Sequence, residues 1–248
     1  GHAPAVVLDA MNKPHVMANV MTPSVSQFEM TEHLKKEIGH RRAGGFPYDS
    51  FICMNSGSEA MTVASRITDI NTRKLTDPGG RYEHKPTRIL SLKHGFHGRT
   101  QRPAQFSDST RQTYCKHLAS FRDDDKLITV EPNDVDQLRQ VFEWADGNGI
   151  FIEAFFMEPV MGEGNPGMAV TPEFYAEARR LTKEHGCLLL VDSIQAGLRA
   201  QGWTGEDFAG DADTPLHFAV NTDAMISWAA STLGYTGHIL RPYFPEKF

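Results

Sequence analysis

The sequence predicts an α/β fold in which a mostly parallel sheet is covered by helices on both faces. Apolar strand-like segments alternate with amphipathic helical segments along most of the 248 residues, an order typical of parallel sheets. Residues 187–191, Cys-Leu-Leu-Leu-Val, run without alternation, which is typical of a strand buried on both faces. Hydrophobic residues make up 40% of the chain and charged residues 23%, so a large core can form.

The first part of the chain has one strong local pattern. Helices are expected at residues 6–11 and 27–38, and a strand at 50–54 after a Gly-Gly-Phe-Pro loop. A longer helix follows, because apolar residues recur at helical spacing from Ala60 to Ile70. A strand, a glycine-bearing turn and a helix start are therefore expected in succession.

The later part alternates strands and helices more regularly. The best-marked helix covers residues 171–185, because Thr171 can cap it, Pro172 suits its first turn and Gly186 can end it. The other predicted elements are strands at 88–92, 126–130, 150–157 and 224–229, a helix at 134–145 and a loop at 210–215.

Composition argues against several classes of partner. The formal net charge is −6, which disfavours a nucleic-acid or membrane-surface partner. No apolar run approaches membrane-spanning length, and the first residues carry no signal or transit pattern. Cys53, Cys115 and Cys187 lie far apart, which favours reduced, buried thiols and a cytoplasmic location over a disulfide framework.

Asp192 closes the strand at 187–191 and is the first candidate site residue. Ligands of open α/β sheets bind beyond the carboxyl ends of the strands. A carboxylate buried there needs a cation or hydrogen bonds to offset its desolvation. The alternative is that Asp192 caps a following helix, and spacing alone leaves both interpretations open.

Residues 56–59, Ser-Gly-Ser-Glu, form a second candidate. They fit a capping box, with Ser56 at the cap and Glu59 three residues later. A helix that starts after a strand and a glycine turn directs several N–H groups and its positive dipole end at one point, which suits a phosphate. Many such turns cap a helix and bind nothing, so this interpretation also stays open.

Two loops carry further polar candidates. His94 and His97 suggest a metal, but no third ligand has a recognisable spacing, so no metal is expected. Arg99 can present its planar guanidinium to a substrate carboxylate, or it is a surface arginine paired with an acid. Glu163 can pair with an arginine, or it is a solvated loop acid.

Four motifs occur in an order that resembles a known family. They are Asn-Ser-Gly-Ser-Glu-Ala at 55–60, Phe-His-Gly-Arg-Thr at 96–100, Glu-Pro-Val-Met-Gly-Glu-Gly at 158–164 and Val-Asp-Ser-Ile-Gln-Ala-Gly at 191–197. Together they resemble the class III pyridoxal-phosphate-dependent aminotransferases, the group that includes 4-aminobutyrate and ornithine aminotransferases. The resemblance implies a fold type I large domain over residues 1–202, with 203–248 as its divergent end and without the family's C-terminal small domain. It also implies a homodimer with active sites at the subunit interface.

The resemblance implies pyridoxal 5'-phosphate as the cofactor and assigns residues to it. Asp192 would pair with the protonated pyridine nitrogen and keep the ring an electron sink. Phe96 would stack on the ring and Ile194 would pack beneath it, while Gln195 would reach the phenolic oxygen. Gly57 and Ser58 would hold the phosphate, and Ser56 and His97 belong to the same cofactor-binding set.

The resemblance also implies the substrates, an amino acid and a 2-oxo acid. Arg99 resembles the arginine that binds the distal carboxylate in the 4-aminobutyrate branch, which makes an ω-amino acid such as 4-aminobutyrate one candidate donor. Glu163 resembles the glutamate that tunes a neighbouring arginine. Ser193 departs from the pattern, since the family usually has Glu there.

The largest departure concerns the family's Schiff-base lysine, which stands in an Asp-x-(Met/Ile)-x-x-Ser-Lys context. The counterpart here, Asp-Ala-Met-Ile-Ser-Trp-Ala-Ala at 223–230, places Ala229 or Ala230 at the lysine position. No lysine lies between Lys183 and Lys247. An aminotransferase uses that lysine to carry the cofactor and to move the substrate proton.

Three interpretations of the missing lysine stay open. The chain is a fragment or engineered variant of an active enzyme, or a cofactor-carrying lysine is missing from the sequence as a modified residue, or a natural homologue binds the cofactor without transaminating. A non-catalytic binding or scaffold protein is the competing class of function. Retention of Gly57, Phe96, Asp192 and Gln195 argues against a pure scaffold, which needs none of them.

Overall fold

A five-stranded parallel sheet forms the centre of the part of the protein that the structure describes. The computed structural model describes residues 56–122 and 125–195, the backbone of 216–220 and scattered residues before 56. The described strands are ordered β2-β1-β3-β4-β5, and every neighbouring pair is parallel. They are β1 (Thr87–Leu92), β2 (Leu127–Val130), β3 (Phe151–Met157), β4 (Leu188–Ser193) and β5 (Leu216–Val220).

Helices connect and cover these strands. None of the described helices is both long enough and apolar enough to cross a membrane. They are α1 (Gly57–Thr76), α2 (Gln101–Gln105), α3 (Asp108–His117), α4 (Val135–Gly147) and α5 (Pro172–His185), with a 3-10 turn at Ala119–Phe121.

The strand order places a crevice at the carboxyl end of the sheet. The chain leaves β1 towards β2 on one side and later leaves β3 towards β4 on the other side. The loops that follow β1 and β3 therefore diverge from adjacent strands, which is the switch point where open α/β sheets bind ligands. The motif segments at 96–100 and 158–164 lie in these two loops.

Two apolar cores cover the two faces of the sheet. In β4, alternate residues face opposite sides, so that Leu189 and Val191 contribute to one core and Leu188 and Leu190 to the other. The first core includes residues of α4 and α5, and the second includes Met61 and Ala64 of α1 together with Phe106 and Phe156. The predicted fold class, a parallel sheet covered on both faces, is confirmed.

Most predicted elements are confirmed within one or two residues. α5 has the predicted ends, since the Thr171 hydroxyl accepts the Phe174 N–H at 3.2 Å and Gly186 ends the helix in the left-handed region at φ 67°. That conformation costs glycine little and other residues more. The confirmed strands are those predicted at 88–92, 126–130, 150–157 and 187–191, and the helices are those predicted from Ser58 onward, at 134–145 and at 171–185.

The structure differs from the expectation in four places. Helices α2 and α3 and strand β5 are not among the predicted elements, and α3 has no buried residue that would give a periodic apolar pattern. Ile52 and Met54, the described residues of the strand predicted at 50–54, lie outside any strand.

The remaining predicted elements are described only in part. Leu8 and Asp9 are helical, as predicted for 6–11, and so are Phe28 and Glu29 within 27–38. The strand predicted at 224–229 lies outside the described residues.

The described cysteines are free but differ in exposure. Cys187 is buried in the sheet, and burial raises the pKa of its thiol, so it is an inert side chain. Cys115 is exposed on α3. The prediction of buried thiols is therefore wrong for Cys115, because α3 packs none of its faces into a core.

Candidate functional site

The N-terminus of α1 has the geometry of an anion site. The Ser56 hydroxyl accepts the Glu59 N–H at 3.3 Å, which confirms the predicted cap. The N–H groups of Gly57 and Ser58 have no intrahelical acceptor, because they belong to the first turn, and no acceptor among the described residues. Two amides and the positive end of a 20-residue helix are therefore available to a ligand.

The loop at 96–100 lies directly on this helix start. The Arg99 N–H donates to the Ser58 hydroxyl at 3.1 Å, and the Thr100 hydroxyl donates to the Ser58 carbonyl at 3.1 Å. Gly98 adopts φ 111°, and a Cβ there would lie 2.8 Å from Ser58 Oγ, so both conformation and space require glycine. Because Ser58 Oγ accepts from Arg99, its own proton is available to an anion.

Asp192 is a buried carboxylate held at the carboxyl end of β4. It is 5% exposed, and its Oδ2 lies 2.8 Å from His97 Nδ1. Its Oδ1 accepts the Ile194 N–H at 3.1 Å. A carboxylate has about four acceptor positions, so Asp192 keeps the capacity to meet another N–H donor. The Ile194 contact is also one that a helix cap makes, but Ser193 lies in β4 and Ile194 and Gln195 form a turn, so no helix begins at these three residues.

His97, in the loop after β1, contacts Asp192 in the protein interior. Its side chain is fully buried, its Nε2 lies 3.1 Å from the Ser91 hydroxyl, and its backbone N–H donates to the Ser107 hydroxyl at 2.8 Å. Both ring nitrogens are therefore engaged by protein groups. We interpret His97 as a residue that positions Asp192, and its assignment to the cofactor-binding set stays a prediction.

His94 does not join His97 in a metal site. It is exposed, has a left-handed backbone at φ 65°, and its Nδ1 lies 4.0 Å from Asp108. His97 instead points inward to Asp192. The described residues contain no group of three or more His, Cys, Asp or Glu side chains able to hold a metal ion.

Glu158 joins the two loops at the switch point. It is 2% exposed, and its oxygens accept the Phe96 N–H at 2.8 Å and the Gly162 N–H at 2.9 Å. Burial, together with the neighbouring Asp192, raises the pKa of this carboxyl above its usual range. The sequence offered the signal that identified Asp192, an acid that closes an apolar strand, but Glu158 was not among the predicted site residues.

Glycines bring the predicted ring contacts close to the backbone. A Cβ on Gly57 would lie 2.9 Å from two Ile194 carbons, so Ile194 packs against the start of α1. A Cβ on Gly162 would lie 1.9 Å from Gln195 Oε1, so the Gln195 amide covers this glycine. The structure therefore brings Ile194 and Gln195 to the same edge of the sheet as Asp192.

Arg99 and Glu163 form an ion pair at the mouth of this region. Arg99 Nη2 lies 3.1 Å from Glu163 Oε1, and the two side chains are 63% and 48% exposed. The guanidinium carbon lies 5.5 Å from the centroid of the half-buried Phe96 ring. The prediction that Glu163 pairs with an arginine therefore holds with Arg99 as the partner. Exposed pairs of this kind contribute about 0–1 kcal/mol, so another carboxylate can replace Glu163 at low cost.

The two alanines at the position of the family lysine, Ala229 and Ala230, lie outside the described residues. Lys93, at the carboxyl end of β1, forms an ion pair with Glu131, which follows β2. Since β2 and β4 lie on opposite sides of β1 in the sheet, Lys93 points away from Asp192.

Comparison with known proteins places this arrangement in a family. The family model described as aminotransferase class-III matches residues 1–239. The LysW-aminoadipate semialdehyde transaminase of Deinococcus radiodurans is 31% identical over 225 residues, which cover 91% of this chain and 45% of that protein. The acetylornithine aminotransferase of Mycolicibacterium smegmatis is 30% identical over 199 residues, which cover 77% of this chain and 43% of that protein.

Solved structures agree on the fold. The ornithine aminotransferase of Toxoplasma gondii superposes with a TM-score of 0.61 at 21% identity, covering 86% of this chain and 46% of that one. The acetylornithine aminotransferase of Elizabethkingia anophelis gives a TM-score of 0.56 at 21% identity, covering 82% of this chain and 45% of that one. This chain thus spans somewhat less than half the length of these relatives. With residues 1–239 matched, the chain belongs to the class III aminotransferases.

Proposed function

We propose that this chain binds pyridoxal 5'-phosphate and takes part in transfer of an amino group between an amino acid and a 2-oxo acid. The observation that carries the proposal is Asp192, a buried carboxylate held by His97 at the carboxyl end of β4. His97 and the Ile194 N–H contact two of the acceptor positions of this carboxylate, and a protonated pyridine nitrogen suits one that remains. Family membership supports the same chemistry.

The described residues fit two ends of the cofactor. The Gly57 and Ser58 amides and the Ser58 hydroxyl form a cradle for a phosphate, which a helix N-terminus favours. Asp192 has unused acceptor capacity for a ring N–H. Gln195, packed over Gly162, is the candidate donor to a ring oxygen.

Each of these residues has a separate task in the proposed reaction. When bound, the cofactor supplies the electron sink and the carbonyl carbon that amino transfer requires. Asp192 holds a proton at the ring nitrogen, and Ile194 and Phe96 keep water from the ring. Arg99 binds the distal carboxylate of the substrate once Glu163 releases it, which favours ω-amino acids or dicarboxylates.

A second candidate function is cofactor binding without transamination. The observation that favours it is the absence of lysine between Lys183 and Lys247. If the sequence as given is the whole of this region, a bound aldehyde has no lysine to capture it there. Borohydride reduction should then leave the polypeptide mass unchanged. Ala229→Lys or Ala230→Lys should restore covalent capture, because a tethered amine reaches effective molarities up to about 10⁵–10⁸ M.

Titration of pyridoxal phosphate, followed by absorbance and fluorescence, tests the proposal. We expect saturable binding by the native chain and at least about tenfold weaker binding by Asp192→Asn, since Asn lacks the charge that pairs with the ring nitrogen. Asp136→Asn is the matched control, because Asp136 is an exposed carboxylate on α4. If Asp192 only caps a helix, Asn replaces it at little cost. Equal affinity of Asp192→Asn and the native chain would therefore refute the proposed role.

The assembly remains a prediction of the resemblance, and the location remains a prediction from the cysteine spacing. We propose a homodimer with the active sites between subunits, which sedimentation at several protein concentrations tests. A cytoplasmic location is likewise proposed, and fractionation of the native cells tests it.

A further inference from the structure

Glu158 is a buried residue whose carboxyl group contacts the backbone of two separate loops. It directly follows β3 and is 2% exposed. Its Oε1 accepts the Phe96 N–H at 2.8 Å, and its Oε2 accepts the Gly162 N–H at 2.9 Å. Among the described residues, neither N–H has another acceptor. One side chain therefore satisfies a backbone donor of the loop after β1 and a backbone donor of the loop after β3.

These contacts require an acceptor at both oxygen positions of the side chain. Both oxygens of a carboxyl group can accept hydrogen bonds, whereas a glutamine amide accepts at its oxygen and only donates at its nitrogen. Glutamine has nearly the same shape as glutamate but could satisfy only one of the two donors. The other N–H would face an NH2 group, and a buried donor without an acceptor is costly. The geometry thus requires a carboxyl group and not only a side chain of this size.

The other contacts between the two loops are weaker. Among the described residues, the only other hydrogen bond between them joins the exposed side chains of Arg99 and Glu163, and exposed ion pairs contribute little. Gly164 packs closely on the His94 carbonyl, since a Cβ there would lie 1.8 Å from its oxygen. No hydrogen bond between these two described residues accompanies that packing. Glu158 is therefore the main polar connection between the loops.

The two residues that Glu158 holds lie at the candidate cofactor site. Phe96 is the residue predicted to stack on the ring, and Gly162 lies under the side chain of Gln195. Glu158 is also close enough to His97 and Asp192 to interact electrostatically with both. A displacement of either loop would therefore change the surroundings of Asp192.

We propose that Glu158 is a positioning residue that clamps the loops after β1 and β3 together, so that Phe96 and Gly162 open and close as one unit. The clamp itself does not depend on the proposed function, because it consists of contacts within the chain. Its consequence for cofactor binding rests on the proposed function. Glu158 holds Phe96 and Gly162 by their backbones, so it acts on a ligand only through them.

Hydrogen exchange of the native, cofactor-free chain, followed by NMR at low urea concentrations, tests the clamp. We expect the Phe96 and Gly162 amides to have opening constants equal within about threefold and the same urea dependence, because one event exposes both. The Gly95 amide, which donates to the Leu92 carbonyl at 2.9 Å, is the internal reference and should open separately. Independent opening of the Phe96 and Gly162 amides would overturn the inference.

Glu158→Gln tests the requirement for two acceptors. At least one of the two amides should exchange about tenfold faster or more, the effect of leaving a donor without an acceptor, while the Gly95 amide should stay within about twofold of its native rate. Glu143→Gln is the matched control, because Glu143 is an exposed glutamate on α4; it should leave all three amides unchanged. Native exchange of both amides in Glu158→Gln would overturn the clamp. If this variant does not fold, the measurement on the native chain decides.

Titration of pyridoxal phosphate measures the consequence for the site. Glu158→Gln should bind about fivefold more weakly than the native chain, through loss of one hydrogen bond, and Glu143→Gln should bind as the native chain does. Equal affinity of Glu158→Gln and the native chain would overturn the positioning role. A native chain that binds no pyridoxal phosphate would instead refute the proposed function, and the shared opening of Phe96 and Gly162 would still stand.

Discussion

Two glycines in the loop after β3 should respond differently to replacement by alanine. A Cβ on Gly164 would lie 1.8 Å from the His94 carbonyl oxygen and 2.8 Å from Ser109 Cβ. A Cβ on Gly162 would lie 1.9 Å from Oε1 of Gln195. The obstacle is fixed backbone in the first case and the end of a flexible side chain in the second case. We therefore expect Gly164→Ala to damage the fold and Gly162→Ala to damage the ligand site.

The magnitudes separate the two variants clearly. Carbon contacts are normally about 3.5–4.0 Å, so the backbone around Gly164 must move by more than an ångström, and overpacking of this kind costs about 1–3 kcal/mol. We expect the upper end of this range, which corresponds to a Tm lower by roughly 6–12 °C in a chain of this size. Displacing the Gln195 side chain to an off-rotamer χ angle costs about 0.5–1.5 kcal/mol. Alanine also lowers the conformational entropy of the unfolded chain. This stabilises the folded state by about 0.4–1 kcal/mol and offsets part of the cost.

Thermal unfolding and pyridoxal phosphate titration of both variants give the readout. Gly162→Ala should unfold within roughly 4 °C of the native chain but bind the cofactor about fivefold more weakly, the value of one neutral hydrogen bond. Gly147→Ala is the control for the substitution itself, because a Cβ there meets no atom within 4 Å. A Gly164→Ala variant as stable as the Gly147→Ala variant would refute the steric argument. Unchanged cofactor affinity of Gly162→Ala would refute the role of Gln195.

Two further predictions concern ion pairs. The guanidinium of Arg180, and then that of Arg139, lowers the pKa of Glu177 to about 2. The pKa in the unfolded chain is about 4.3. The ion pairs of Glu177 therefore stabilise the folded state fully above about pH 4.3, and this stabilisation is lost as the pH falls towards 2. Since both arginines are about half exposed, we expect Glu177→Gln to lower the free energy of unfolding by only about 1 kcal/mol at pH 7. Near pH 2 the variant and the native chain should be equally stable. Urea titrations at the two pH values measure both results. Glu163→Gln frees Arg99 from its ion pair. Calorimetry should then show glutarate binding about threefold more tightly, with a change in the free energy of unfolding below about 1 kcal/mol. Weaker binding would contradict the proposed competition between Glu163 and a substrate carboxylate for Arg99.

The sequence predicted those elements whose burial leaves a clear apolar pattern. The helix that Gly186 ends carries a periodic apolar stripe with end signals, and β4 carries a continuous apolar run closed by an acid; both were found. Helix α3 buries no residue, so no apolar stripe could reveal it. Strand β5 is only five residues long and directly follows a predicted loop, so the local sequence pattern did not predict it.

Site residues with an unusual chemistry for their setting were predictable, and supporting residues were not. Asp192 stood out because an acid ended an apolar run. Ser91 is equally anomalous, as a serine inside Arg-Ile-Leu-Ser-Leu at 88–92, but serine is common enough in strands to pass unnoticed. Its contact with His97 forms only when the loop after β1 folds back over the sheet.

The residues proposed to bind the cofactor and the position of the family lysine lie in different segments of this chain. The proposed phosphate cradle at Gly57 and Ser58 and the carboxylate of Asp192 both lie within residues 56–195 and are held by contacts among described residues. The position that a family lysine would occupy, Ala229 or Ala230, lies in another segment. Non-covalent binding of the cofactor therefore does not require that lysine, whereas capture by borohydride does. A chain that binds pyridoxal phosphate reversibly, and gains covalent capture only with an introduced lysine, would show that the site was kept while the amine was lost. A chain that binds none would show instead that the described contacts alone are insufficient to hold the cofactor.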